Sequence, residues 1–264
     1  MNSPPIIDIK SLHVKGGAKT LLIDIDLVVR QHERVAIIGA NGAGKTTLLK
    51  VLTRMIAPAS GTVTVLGQNV AKQILPSQLR TLRAQIGQVF QGLHLVGRLN
   101  ALENVLIGAL GRNRSIVTCA RIFPAEEHER AHAALRAVGM LHAAKHRVDR
   151  LSGGERQKVA VARALNQNPT LILADEPTAN LDPLAAGEIA DLLSQIAEDR
   201  KATLVTVAHS MTLLPNLAQR IIGLSSGRMV FDQPINTVDE EQLALLYSRS
   251  ITQNQAASPT TWIM

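Results

Sequence analysis

The stretch "VAIIGANGAGKTT", residues 35–47, decides how this chain is read. Four apolar residues run straight into a glycine-rich turn, and a helical pattern, residues 45–55, follows it. A short apolar run bounded by a turn signal reads as a buried strand. The order is therefore strand, loop, helix, and within it "GANGAGKT" has the spacing G-x-x-x-x-G-K-T of a phosphate-binding loop in its required context. The glycines let backbone N–H groups curl round phosphate oxygens. Lys45 reaches the outer phosphates as a point charge, and the Thr46 hydroxyl is a ligand for Mg²⁺.

Working outward, "LILADE" (171–176) is an apolar strand ending in two adjacent carboxylates. Asp175 is placed for the Mg²⁺ shell. Glu176 points elsewhere and can orient or deprotonate an attacking water. "TLVTVAH" (203–209) is another strand that ends in a titratable residue, His209. Gln91 follows the strand "IGQVF" (86–90), and its spacing alone carries no assignment. Strands alternating with helices argue a parallel sheet with crossover helices, which binds ligands at the carboxyl ends of its strands. Gly39, Asp175 and His209 all stand at such ends and are expected to meet at one edge.

The flanks fill in the rest. "IIDIKSLHV" and "LLIDIDLVV" alternate and read as half-buried strands before the loop, and "GTVTVLG" (61–67) as a further strand. From about 92 to 165 the chain carries helical spacing in "ALENVLIGAL", "PAEEHERAHAALRAVGM" and "ERQKVAVARAL", as an inserted helical subdomain. A helix from Pro183 to about Arg200 takes Asp182 as its cap. "RIIGLSSGRMVFD" (220–232) reads as a hairpin, 239–248 as a last helix, and 249–264 as a polar tail. The expected fold is α/β: a P-loop NTPase core with a mostly parallel sheet, an N-terminal antiparallel β subdomain and the inserted helices.

The bulk composition narrows the function classes. The 264 residues are 46% hydrophobic and 19% charged, a soluble globular composition. Aromatics are only 2%, which argues against nucleic-acid binding through stacked bases. Lysine plus arginine outnumber aspartate plus glutamate 28 to 21, and the net charge of +7 fits nucleic acid, an anionic membrane face or anionic ligands alike. The single cysteine, Cys119, makes no intrachain disulfide, so a reducing compartment is expected. The N-terminus lacks the charge-then-apolar pattern of a signal peptide. No apolar stretch approaches the ~18 residues of a membrane span.

A second glycine pair remains. "LSGGERQ" (151–157) places Ser152 as the cap of a helix through Lys158, Val161 and Ala164, another start fit for an anion, 107 residues after Lys45. It has neither a P-loop lysine nor paired acids, so it can hold a phosphate and cannot catalyse by itself. "GANGAGKT", Gln91, "LSGGERQ", "LILADEPTANLD" and His209, in this order, resemble the ATPases of ABC transporters over residues 6 to about 247. "FQGLHLVGRLNALENVLIGAL", "RIIGLSSGRMVFDQP" and "LALLY" are similar to the phosphonate importers among them.

That resemblance implies an ABC ATPase domain over residues 1–247 with a flexible tail, 248–264. It implies two subunits packed head to tail, with each ATP between one P-loop and the partner's signature loop. Gly39, Ala40, Asn41, Gly42, Ala43, Gly44, Lys45, Thr46 and Thr47 would then bind ATP, while Ser152, Gly153, Gly154 and Gln157 meet the ATP of the partner. Thr46, Gln91 and Asp175 would serve Mg²⁺, Glu176 would be the catalytic base, His209 would meet the γ-phosphate, and Asp182 would lie on the loop linking the two sites. The implied partners are a second copy, integral membrane permease subunits and, indirectly, an extracytoplasmic solute-binding protein, with no nucleic acid. Gln91 and the helical stretch after it would face the permease. The implied place is the cytoplasmic face of the inner membrane, held peripherally. Importers of related oxyanions or of polar amino acids are the alternative within the family.

One departure stands out. The family places an aromatic before the P-loop to stack on adenine, and Gly16 stands at that register here. No Phe, Tyr or Trp precedes Phe90. Weaker ATP affinity and looser choice of base are expected, with His13 or Val14 as a partial platform. A soluble ABC ATPase acting on nucleic acid is the outside alternative. Its repair type separates the two loops with long coiled coils, whereas this chain shows no sustained heptads, and its translation type carries two cassettes per chain. A module that holds ATP without hydrolysing it is disfavoured by Glu176 and His209.

Overall fold

The computed structural model describes residues 4–112, 123–239, 242–243 and 246. The expected helix 239–248 falls mostly outside them, as do Cys119 and the tail. Two sheets organise the rest. The first is antiparallel, in the order β2-β1-β4-β5, built from β1 (Pro5–Gly16), β2 (Lys19–Arg30), β4 (Ser60–Val65) and β5 (Gln68–Asn69). The second has the order β10-β9-β3-β8-β7-β6. In it β3 (Arg34–Ile38), β6 (Ile86–Val89), β7 (Leu171–Asp175), β8 (Thr203–Val207) and β9 (Arg220–Ser225) run parallel, and β10 (Arg228–Pro234) closes one edge antiparallel to β9. The mostly parallel core and the N-terminal antiparallel subdomain are thus as expected.

Alternation along the parallel strands divides the interior in two. Val35, Ile37, Leu173, Val205 and Ile222 join a core that includes the inner face of the antiparallel sheet and α1 (Lys45–Leu52). Ala36, Ile38, Ile172, Ala174 and Leu204 face the other core, shared with the inserted helices. Strands buried on both faces read as continuous apolar runs, which is why "VAII" and "LILA" carry no polar alternation. Helix α1 stops at Leu52, three residues short of the expected end. Arg83, on α2 (Pro76–Ala84), donates to the Thr53 and Arg54 carbonyls and so closes the helix there. Helix α2 was not foreseen: only Leu82 on it is buried, so it carries little apolar period.

The inserted region holds α3 (Ala101–Ile107), α4 (Ala125–Ala137) and α5 (Gly153–Asn166). Asn100 caps α3 and Pro124 precedes α4. Helix α6 (Pro183–Asp199) starts at Asp182, whose carboxylate accepts the Ala185 N–H at 3.0 Å. A short α7 (Leu214–Leu217) leads into β9. Among the described residues no helix is long and apolar enough to cross a membrane.

Candidate functional site

β3, β8 and β7 are adjacent in the parallel sheet, so the segments holding Gly39, His209 and Asp175 leave it at one edge. The first loop is fixed by close backbone contact. At Gly39 φ is +147°, and a Cβ there would stand 2.1 Å from the Leu224 carbonyl oxygen of β9. Only glycine fits both the angle and the space. Gly44 precedes α1 with φ +106°, and no side chain caps that helix. The first N–H groups of a helix lack intrahelical partners, so the start of α1 is an open anion seat.

The charges around the seat are arranged for a polyphosphate. Lys45 is 5% exposed, and its Nζ donates to the carbonyls of Gly39 (2.7 Å) and Ala40 (3.0 Å). Burial pushes its ammonium below the ordinary value, against the opposing pull of Glu176 and Asp175. The Thr46 hydroxyl donates to Asp175 Oδ1 at 3.1 Å. Burial pushes the Asp175 carboxyl up, while the Thr46 bond opposes the shift and the Glu176 charge adds to it. A buried carboxylate beside a hydroxyl is a hard-oxygen pair suited to Mg²⁺.

Glu176 has φ +50°, and its N–H donates to the Val207 carbonyl at 3.1 Å. This left-handed step at the strand end separates its side chain from that of Asp175. Its carboxylate is held on both oxygens, 2.6 Å from His209 Nε2 and 2.8 Å from Gln91 Nε2. Gln91, unranked by its spacing, therefore converges with Glu176 and His209. All three line one cleft of about 590 Å³ with Asn41, Gly42 and Gly44 to Thr47. Ala40 and Ala43 line an adjoining recess.

Several wall residues were not foreseen. Lys19 and Leu21 line both spaces, and the β9–β10 turn, Ser225 to Gly227, lines the recess. The Gly227 N–H donates to the Ala43 carbonyl (3.0 Å), and the Gly227 carbonyl accepts from the Ile23 N–H (2.7 Å). Only tertiary pairing brings these segments to the loop. The expected base platform needs correcting. Val14 is fully buried, and His13 pairs with Ser60 in the sheet and lines neither space. Leu21 lies over Gly16 instead: a Cβ at Gly16 would be 2.9 Å from Leu21 Cδ1.

The second loop is elsewhere. None of Ser152, Gly153 and Gly154 lines the cleft or the recess. Ser152 Oγ accepts the Glu155 N–H (3.2 Å), and the Glu155 carboxylate accepts the Ser152 N–H (2.8 Å), a reciprocal cap that holds Glu155 below the usual carboxylate range. Gln157 departs from the expectation of a surface contact. It is 5% exposed, because five residues on it lies about 140° round the helix from Ser152. The segment before α6 and the first turn of α6 pack on this loop: Leu181 and Ala185 stand 3.6 and 3.4 Å from where side chains on Gly153 and Gly154 would begin.

Residues 22–179 match the family described as ABC transporter. The phosphate-import ATP-binding protein PhnC of Mycolicibacterium smegmatis is 43% identical over 89% of each chain. The phosphonates import ATP-binding protein PhnC of Shouchella clausii is 38% identical over 92% of this chain and 94% of its own. Among solved structures, the dimeric post-hydrolysis ATP-binding cassette MJ0796, bound to ADP and Pi, is 31% identical with a TM-score of 0.76, covering 87% of this chain and 98% of that one. Motif order, fold and relatives agree: the chain belongs to the ABC transporter family, as one of its ATP-binding subunits.

Proposed function

We propose that this chain hydrolyses ATP to drive uptake of a phosphonate or a related phosphorus oxyanion through separate membrane subunits, and that each ATP lies between two copies of it. One observation carries the reading: a lysine-floored cleft holds Glu176 between Gln91 and His209, and none of the second-loop residues reaches it. A phosphate seat at Ser152 to Gly154 then serves a nucleotide bound by another copy. The dimeric relative with ADP and Pi supports that pairing. The cassette is read as residues 1–247, with 248–264 as a tail.

Each residue's part follows from its chemistry. Backbone N–H groups from Gly39 to Thr47 and the Lys45 ammonium take the phosphates. Thr46, Asp175 and Gln91 offer oxygen ligands to Mg²⁺, which when bound offsets the phosphate charge. Glu176 accepts the proton of the attacking water. Gln91 and His209 hold its carboxylate in one orientation, and His209 reaches the γ-phosphate from the same edge. Ser152 has its oxygen engaged by the Glu155 N–H and keeps its own O–H to donate to the partner's ATP. Asp182, on the segment packed against the second loop, links the two composite sites. Gln91 and the helical stretch after it face the permease, which holds the chain peripherally at the cytoplasmic face of the membrane. An extracytoplasmic solute-binding protein would deliver the solute to that permease.

The test is the solution mass of the Glu176→Gln chain with and without ATP and Mg²⁺. Hydrolysis falls by ~10²- to 10⁴-fold, the usual worth of a general base, and trapped ATP shifts monomer to dimer. Ser152→Arg abolishes the shift. A dimer that survives Ser152→Arg refutes the composite site. Relatives named for phosphate and for phosphonate import leave the solute between two phosphorus oxyanions. Growth on a phosphonate as sole phosphorus source, with and without the gene, separates them.

A further inference from the structure

We propose that Arg163 is a positioning residue for hydrolysis: by bracing the turn after Gln91 it fixes where the Gln91 amide meets Glu176. The inference rests on the reading of Gln91 and Glu176 given above. Gln91 lies two residues beyond the end of β6, so no ladder holds it. The chain then enters an unfavourable turn, with Leu93 at φ +56° and His94 at φ +49°. Two successive left-handed residues that are not glycine persist only where the surroundings impose them. The turn's own bonds, Leu93 N–H to Phe90 O and His94 N–H to Gly92 O, close it on itself and tie it to nothing else.

Arg163 supplies the tie. Its guanidinium donates to the Leu93 carbonyl and to the His94 carbonyl, each at 2.6 Å. Among the described residues these two carbonyls have no other donor and Arg163 has no carboxylate partner. Burial pushes the guanidinium below its ordinary value. A poorly hydrated cation without a counter-charge is costly, and here backbone carbonyls replace both water and acid. The planar fork meets two carbonyls at once, which an ammonium does less well. Asn104 fastens the far side of the same loop, accepting the Val96 N–H at 2.8 Å and donating to the Val96 and Asn100 carbonyls. Arg163 holds the side next to Gln91. It also sits on α5, the helix that begins at the Ser152 loop. Eleven residues of helix, about 16 Å, thus join the loop assigned to the partner's ATP to the turn that places Gln91.

Two measurements on the full-length chain test this. In Arg163→Met, hydrogen exchange at amides 92–95 quickens about tenfold or more, while α1 is unchanged. ATPase kcat falls about tenfold, with KM for ATP within about twofold of the parent. In a Gln91→Ala background the same substitution costs less than about twofold, because the residue it positions is gone. Arg163→Lys, which keeps the charge and one bond, falls between and carries the test if the methionine variant does not fold. Unchanged exchange, or an equal loss in both backgrounds, overturns the proposal. A wild-type chain with no ATPase activity would instead count against the function above, and the exchange measurement would still decide on the brace.

Discussion

Two helices of this chain begin at glycine-rich loops, and they are finished in opposite ways. Helix α1 follows Gly44 with no side-chain cap, and its first turn is left open beside a buried lysine. Helix α5 follows Ser152 with a closed capping box and no lysine at its mouth. The first is a container: walls from β2 and the β9–β10 turn surround it, and its N–H groups wait for an anion. The second is capped by its own side chains, and under the proposed pairing it lends a hydroxyl proton and two glycines to the partner's ATP. A loop that must bind alone is built unsatisfied. Under the proposed pairing, the loop that binds only when a partner arrives is built satisfied.

The largest test of that contrast pairs two substitutions. Lys45→Ala removes charge-assisted bonds worth about 1.5–3 kcal/mol each, so ATP affinity of the isolated chain falls about a hundredfold by titration. Ser152→Arg leaves the same affinity within about twofold and removes only the ATP-driven dimer. Equal losses of affinity would erase the distinction between the two loops.

The next concerns the container's wall. Leu21 stands over Gly16, where an aromatic would offer a base a stacking face. Stacking is worth ~1–3 kcal/mol per base in nucleic-acid binders. The double variant Gly16→Tyr, Leu21→Ala, which clears the leucine from the path of the new ring, is expected to tighten ATP about tenfold. The wild-type chain is expected to bind ATP and GTP within a few-fold of each other. A strong ATP preference at low-micromolar affinity in the wild type would show that the aliphatic wall suffices.

A smaller effect separates the caps. Ser152→Ala opens the box on α5 and costs ~1 kcal/mol of stability, within the usual range for such caps. In a domain of this size that lowers Tm by about 2–4 °C. α1 has no cap to lose, so Thr47→Ala in its first turn leaves Tm within about 1 °C on the same scale. A matching drop would show that both starts are stabilised alike.

The legible and illegible parts of the site divide by sequence distance. Asp175, Glu176 and His209 stand at or just past the ends of strands that the apolar runs reveal, and Lys45 and Thr46 follow another such strand through the glycine loop, so the sheet edge they share could be read in advance. Lys19, Leu21 and Ser225 to Gly227 could not. They reach the loop through hairpin pairing and two backbone bonds, and nothing about their side chains marks them. Gln91 carried no signal of its own until its amide met Glu176. Gln157 belongs to the loop motif along the chain, but round the helix it turns inward. The Ser152–Glu155 box is visible in the sequence as S-x-x-E. Arg163 was hidden for another reason: its partners are carbonyls, which every residue has.

The smallest effect follows from the acid in the container. Burial raises the Asp175 carboxyl above its ordinary 3.8. Between 3.8 and the raised value the folded chain keeps a proton that the unfolded chain has lost. The stabilisation this brings is complete below 3.8 and is lost as pH rises through the folded value. Without nucleotide and metal, Asp175→Asn should therefore be the more stable chain above that window, and the gap in Tm between the two should open as pH rises through it and then stay constant. The downward shift on Lys45 is present in both chains and cancels in the difference, apart from the lost attraction to Asp175. Mg²⁺ needs the ionised carboxylate, so in the wild type its affinity climbs over the same range, while the asparagine variant shows no climb. Stability and metal binding then respond to pH in opposite directions through one atom pair, Thr46 Oγ1 and Asp175 Oδ1. A Tm gap independent of pH would mean that the buried acid is already relieved by its hydroxyl neighbour, and that the container is less unsatisfied than its burial implies.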